Sequence, residues 1–338
     1  MTVSAVTDWS YRGFQAVILE NSLLRAVILP ELGAKIWQLT YKPQDVHLLW
    51  HNPRIKPRAV AFGASYDDHF FGGWDELFPN DMPETINGEA EPDHGEIWAL
   101  SWNFSLRQSA DEAELTLWVD TPISACRVEK RIVLRDGESR LRFRHRLTNT
   151  GLKPLPFLWK LHAAMNVHEY SRLDAGAKSV YIEDFGLPRT GRTKLRYEWP
   201  YAPGEDGVLH DMRSCLPPSS GVGEFQYVTE LAAGWCALTD TKTGVGFGLA
   251  FDKDVFRSCW FFASYGGWRN LQTLVLEPCT GYPVSVNDGI AAGTHQTLGS
   301  GETLETEVTA VIYAGMKAIR FIDLDGNVDG IRMEEEGK

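Results

Sequence analysis

Three side chains in distinctive local runs could move protons near neutral pH. They are His94 in Asp93-His94-Gly95-Glu96-Ile97-Trp98, His162 in Trp159-Lys160-Leu161-His162, and Glu277 in Leu274-Val275-Leu276-Glu277-Pro278-Cys279. An imidazole takes up or releases a proton at that pH, and a carboxylate among apolar neighbours can be tuned to do the same. The chain has no Gly-x-Ser-x-Gly nucleophile elbow, no phosphate loop and no dinucleotide fingerprint, so other common chemistries lack their usual marks.

Each of the three has a bland alternative. Gly95 permits close backbone approach or a positive φ, which would suit a His94 side chain aimed into a cleft; a turn histidine stacked on tryptophan is the other reading. His162 has mostly small or apolar neighbours, so its imidazole should be shielded, either for proton transfer or as a core histidine satisfied by a carbonyl. His168 lies six residues on, roughly 20 Å away along an extended strand, too far to share a metal with His162. It reads as structural or as a loop residue. Glu277 ends an apolar run and is expected at a strand end, where Pro278 stops the ladder. A core glutamate paired with arginine is the alternative.

Aromatic runs add a substrate logic. Phe71-Gly72-Gly73-Trp74-Asp75-Glu76-Leu77-Phe78-Pro79-Asn80 combines glycines, an indole and hydrogen-bonding groups. Trp98 follows His94, Trp260 lies in Cys259-Trp260-Phe261-Phe262, and Trp268 in Tyr265-Gly266-Gly267-Trp268-Arg269-Asn270. Pyranose rings offer C–H faces to aromatics and hydroxyls to Asp, Asn and Arg, so Trp74, Asp75, Glu76, Trp98, Trp260 and Trp268 are candidate substrate-binding residues; a large sandwich core also uses tryptophan. The partner these residues suggest is a small-molecule sugar. Arg54, Lys56 and Arg58 form the one basic cluster inside an aromatic loop region.

Metal readings are weak. Asp67-Asp68-His69 crowds ligand atoms, but no His-x-x-x-His or His-x-His cluster supports it. Asp325-Gly326-Asn327-Val328-Asp329-Gly330 with Glu336 formally fits a calcium loop, yet Arg332 replaces the apolar anchor and two residues follow Glu336. Phe321, Asp323 and Asp325 read instead as part of a final hairpin. No metal or other cofactor is expected.

The elements that must position these groups are strands. Gln15–Leu19, Leu24–Leu29, Lys35–Thr40, Trp102–Leu106, Ala113–Val119, Cys126–Leu134, Ser139–Thr148, Gly234–Thr239, Gly244–Ala250, Leu271–Glu277 and Glu302–Ile312 are β-rich runs. Hairpin-like turns fall at Arg135–Glu138, Asp240–Gly244 and Asp325–Asn327. No stretch of twelve or more residues holds a 3.6 period, so the chain is expected to be all-β. Two Pro/Gly-rich excursions, at about 43–92 and 187–223, are long enough to build or cover a site. One continuous sandwich-like domain over 1–338 is the simplest account.

The 338 residues carry 45 acids against 33 bases, a formal charge of -12. Such a surface repels nucleic acid and anionic lipid, so neither is an expected partner. The densest basic stretch, Arg127–Arg146, alternates with apolar residues and reads as a solvated sheet face. No signal-peptide order or membrane-length apolar run is present, and the five scattered cysteines read as buried thiols in a reducing cytoplasm. The sequence leaves the oligomeric state open.

Taken in order, Asp93-His94-Gly95 leading to Trp98, Lys160-Leu161-His162, Leu276-Glu277-Pro278 and the late Ala291-Ala292-Gly293-Thr294 to Leu298-Gly299-Ser300-Gly301-Glu302 segment resemble the galactose mutarotase-like superfamily of aldose 1-epimerases and their relatives. The resemblance spans roughly residues 10–315. It implies a β-supersandwich of large, mostly antiparallel sheets and an isomerase interconverting the anomers of an aldose. It also implies His162 as general acid on the ring oxygen, Glu277 as base at the anomeric hydroxyl and His94 as the assisting histidine, all in one cleft. A sugar-binding arginine would be Arg54 or Arg58, and a sugar-binding aspartate Asp206 or Asp211. The alternatives are a non-catalytic carbohydrate-binding or regulatory protein on the same fold, or another sugar-active enzyme such as a lyase or hydrolase.

Overall fold

Alternation writes most of the strands. In Glu112–Asp120, residues Ala113, Leu115, Leu117 and Val119 are buried while the intervening positions reach solvent. Cys126–Arg135 and Arg140–Asn149 repeat that pattern and pair antiparallel, with Ile132 opposite Phe143 and Leu134 opposite Leu141. The outward face is a solvated charge ladder: Arg131 meets Glu114 at 3.4 Å and Arg144 meets Glu307 at 2.7 Å. The inward face carries a surprise, because Lys130 and His145 stand directly opposite one another in the core.

The computed structural model describes residues 3–333. Its contacts fall into two compact units, Met1–Ala164 with Pro278–Glu307, and Met165–Glu277 with Val308–Lys338. The structure is all-β and mostly antiparallel, as the patterning predicts. In the first unit, Ser4–Tyr11, Phe14–Glu20, Leu24–Leu29, Lys35–Tyr41, Trp74–Leu77 and Lys160–Met165 pair successively. Asn103–Gln108, Glu112–Asp120, Cys126–Arg135 and Arg140–Asn149 form a meander in the same unit.

The second unit is organised by one long strand, Val222–Asp240, which pairs with Ser171–Ile182, Gly246–Phe251 and Ser258–Tyr265. Trp235, Ala237, Ala250, Val311, Tyr313, Met316, Ile319 and Ile322 form a core cluster there. Met316–Ile322 and Val328–Arg332 pair as the expected last hairpin, with Asp323 capping Asn327 at the turn. Glu336, the last member of the formal calcium pattern, lies outside the described residues. The 187–223 excursion is tied down by Arg189, which binds Glu224 at 2.7 Å and the Ser214 carbonyl at 2.6 Å.

Several elements differ from expectation for identifiable reasons. Lys160–Met165 is buried at every position, so it shows no alternation. Pro278 does not end its strand: Gln272–Cys279 runs through it, placing Glu277 inside the strand rather than at its end. A proline removes a donor without bending an extended backbone, so it is tolerated where that N–H is not needed. The described residues contain one α-helix, Val286–Ala292, started by Ser285 accepting from the Asp288 N–H and closed by left-handed Gly293 at φ 73°. Seven residues are too few for a periodic signal. No helix among the described residues is long and apolar enough to cross a membrane.

The hairpin Glu84–Ile86/Glu89–Glu91 buries Glu91, whose Oε2 has no hydrogen-bond partner. Burial, then the neighbouring Glu96 and Glu89, push its carboxyl up to about 8. The folded chain therefore holds a proton that the unfolded chain releases near pH 4.5, so this group loses stability as pH rises through 4.5–8. Glu91→Gln should stabilise the protein on the order of 1 kcal/mol at pH 8. The gain should shrink on acidification to pH 5; thermal melts at the two pH values check it, and a gain independent of pH would contradict the assignment.

Candidate functional site

Cross-strand register in the first unit assembles a polar cluster from residues distant in sequence. His162 stands directly opposite Asp75 in the pairing of Lys160–Met165 with Trp74–Leu77. Directly opposed side chains share a sheet face and lie within reach of common partners. On the other side of Asp75, Ile36 pairs with Trp74, so Lys35 lies one residue along from that pair and its ammonium binds the Asp75 carboxylate. Lys35 also donates to the Gly72 carbonyl at 2.9 Å. Burial pulls Lys35 below the usual lysine value, against the opposing pull of Asp75.

Tyr66 closes the row. Its hydroxyl lies 2.7 Å from Asp75 Oδ2 and 3.1 Å from His162 Nδ1. His162 is 6% exposed. Burial, followed by the positive charges of Lys160, His94 and Lys35, holds its imidazole well below the ordinary histidine value. The ring is neutral at pH 7 for a physical reason: a second proton there would be both desolvated and repelled.

His94 stacks on Tyr66, with ring centroids 4.4 Å apart and 17° between planes. Both of its nitrogens face carboxylates, Nδ1 at 2.8 Å from Asp93 and Nε2 at 3.3 Å from Asp81. Asp81 also binds Lys160 at 2.7 Å. Burial would raise the Asp81 and Asp93 carboxyls, but Lys160 and His94 at Asp81, and chiefly His94 at Asp93, hold both below the ordinary range. Trp98 meets Tyr66 edge-on at 4.9 Å and donates from its indole to the Asp93 carbonyl at 3.2 Å. Thus His94 proves to be a turn histidine that stacks, but on a tyrosine shared with His162.

The turn depends on left-handed backbone at two successive residues, His94 at φ 58° and Gly95 at φ 73°. A β-carbon on Gly95 would drive into the Phe78 carbonyl. Gly95→Ala should therefore cost at least about 2–3 kcal/mol from strain and collision together. Chemical denaturation measures the loss; a variant within 0.5 kcal/mol of the parent, taken as roughly the level of a neutral surface change, would show that the turn is not constrained.

The other candidates are placed as follows. Trp74 is 2% exposed and packs on Phe143 at 4.9 Å. Glu76 points to the opposite side of its strand from Asp75 and binds Lys130 at 3.0 Å and His145 at 3.1 Å in the core. Arg54 and Arg58 are exposed on the loop after Asn52. In the second unit, Trp260 is buried against Tyr227, while Trp268 is half-buried, edge-on to Phe262. Asp206 sits in an exposed turn and Asp211 pairs with Arg213 at 2.7 Å. Glu277 is buried in the second unit. His168 is a half-exposed loop residue 3.6 Å from Asp240.

Sequence reading passed over Tyr66, Lys35, Asp81 and Lys160. Two signals were available: Lys160 and Lys35 open runs rich in apolar residues, and a buried lysine requires a carboxylate partner. Nothing in the sequence marks Tyr66 out from the other aromatics of its loop.

No protein-family model matches the chain. Solved structures do. A galactose mutarotase-like protein from Clostridium acetobutylicum superposes with a TM-score of 0.67 at 13% identity, covering 93% of this chain and 99% of that one. The fold is the galactose mutarotase-like fold. A galactose mutarotase-like protein from Lactobacillus casei ATCC 334 gives 0.56 at 16% identity, with 88% and 100% covered. The Slr1438 protein of Synechocystis sp. PCC 6803 gives 0.65 at 18%, with 92% and 99% covered. At identities this low the superpositions show the fold alone, the galactose mutarotase-like architecture expected from the order of the short motifs, and activity is argued from the side chains.

Proposed function

We propose that this chain interconverts the α and β anomers of an aldose by general acid–base catalysis. The observation that carries the reading is the shielded, neutral His162, held at Nδ1 by Tyr66 beneath the His94 ring. Opening a cyclic hemiacetal requires a proton at the ring oxygen and removal of one from the anomeric hydroxyl. Rotation about the C1–C2 bond and reclosure then return both protons. Neutral at rest, the His162 ring first takes a proton from solvent at its unprotonated nitrogen; the imidazolium so formed is a strong acid, delivers that proton to the ring oxygen on opening and takes it back on reclosure. His94 assists, and the resemblance assigns the anomeric hydroxyl to Glu277.

Glu277→Gln keeps size and polarity while removing the base, so kcat should fall by about 10²–10⁴-fold with stability little changed. Polarimetry or saturation-transfer NMR on freshly dissolved aldoses measures it, and undiminished turnover would remove Glu277 from the mechanism. The substrate is a neutral or acidic-sugar aldose in preference to a hexose 6-phosphate, since Arg54 and Arg58 are exposed and no phosphate nest accompanies them in the sequence. Comparing glucose, galactose and glucose 6-phosphate tests activity and substrate class together. Binding of an aldose without faster anomerisation would replace this reading with a carbohydrate-binding one. The five buried cysteines, with no disulfide among the described residues, fit a reducing compartment.

A further inference from the structure

We infer that Tyr66 is a positioning residue that fixes the tautomer of His162, placing the ring proton on Nδ1 and the basic lone pair on Nε2. The catalytic consequence rests on the proposed anomer interconversion; the tautomer is a property of the folded chain whatever its reaction.

A phenol has one proton to donate and can accept through its oxygen. The Tyr66 hydroxyl lies 2.7 Å from Asp75 Oδ2 and 3.1 Å from His162 Nδ1. A carboxylate can only accept, so the phenolic proton belongs to the shorter contact, with Asp75. The Lys35 ammonium binds the same oxygen, Asp75 Oδ2, which opposes placing a proton on that carboxylate. With its proton committed, the Tyr66 oxygen accepts from His162, and Nδ1 must carry a hydrogen. The opposite assignment would leave two acceptor oxygens 2.7 Å apart with no proton between them.

The ring that presents this hydroxyl is fixed on several sides. His94 covers one face, Trp98 meets it edge-on, and the Tyr66 backbone N–H donates to Asp93 Oδ2 at 2.8 Å. Phe70 packs on both Tyr66 and His162, at 5.9 and 5.6 Å. Lys35, Asp75, Tyr66 and His162 thus form an ordered row in which each member sets the polarity of the next. A proton-transfer histidine oriented by a third group is a recurrent arrangement. Here a tyrosine stands between the imidazole and the carboxylate, and proton exchange with a sugar runs through Nε2.

Nitrogen-15 NMR of the histidine-labelled protein reads the tautomer directly, with the His162 signals assigned by their loss in His162→Asn. The wild-type protein should show His162 as the Nδ1–H form. Tyr66→Phe keeps the ring stacked on His94 but removes the acceptor; it should shift His162 towards Nε2–H and lower kcat by about 10- to 100-fold with little change in KM. Asp75→Asn should loosen the tautomer in the same direction. An Nε2–H signal in the wild-type protein, or a folded Tyr66→Phe variant with an unchanged tautomer, would overturn the inference. The wild-type spectrum decides even if a variant fails to fold. Absence of anomerisation with every aldose tested would defeat the proposed function, while the spectrum would still decide the role of Tyr66.

Discussion

Replacing His162 with Asn should lower kcat for anomer interconversion by about 10²–10⁴-fold, the usual contribution of one positioned proton-transfer group. The side chain stays polar and near in size, so the loss should appear in kcat with the fold retained. The expectation follows from where the imidazole sits. Its burial and the charges of Lys160, His94 and Lys35 make an added proton costly, while Tyr66 holds the ring in one orientation. Saturation-transfer NMR on glucose or galactose, with circular dichroism as the folding control, measures the outcome. Full turnover in a folded variant would return His162 to the status of a satisfied core histidine.

Glu76→Leu should destabilise the protein by about 3–5 kcal/mol, because it leaves Lys130 as a buried charge without its carboxylate. Lys130, His145 and the Trp159 indole converge on the Glu76 carboxylate at 3.0, 3.1 and 3.3 Å. Burial alone would raise that carboxyl, but Lys130 and His145 bring it down to about 2. The folded value lies below the unfolded one, so this group contributes its stability above pH 4.5 and loses it as pH falls towards 2. Chemical denaturation at pH 7 measures the single variant. Adding Lys130→Met should recover much of the loss, since a buried ion pair replaced by apolar groups of similar size is often near neutral. A loss under 1 kcal/mol, the range of a weak exposed pair, would show that Glu76 is not the anchor of this core network. The result also separates Glu76 from its neighbour Asp75, which faces the Tyr66 cluster.

The amino-acid sequence by itself determined the class of the fold. Period-two runs such as Glu112–Asp120, the Arg135–Glu138 and Asp325–Asn327 turns, and the lack of any long 3.6 period leave room for little besides antiparallel sheet. It also put forward His94, His162 and Glu277 as candidates from their local runs, each beside a bland alternative. Local patterning carries this information because strands and turns are decided by neighbours along the chain. Strands buried at every position, such as Lys160–Met165, carry no alternation to read, and the seven-residue helix is held by its caps rather than by a periodic face.

Only the tertiary structure decided which groups meet. Asp75 and Glu76 are adjacent in the sequence and look equally fit to bind a sugar, yet pleating sends one to Tyr66 and the other to Lys130. The row Lys35–Asp75–Tyr66–His162 exists because the register sets His162 opposite Asp75 and brings in Lys35 beside it, while the loop carrying Tyr66 folds over both. A one-residue slip would dismantle it by turning those side chains to the other face. The register that sets His162 opposite Asp75, 87 residues away, is fixed by packing of the whole sheet, and no local run of residues records it.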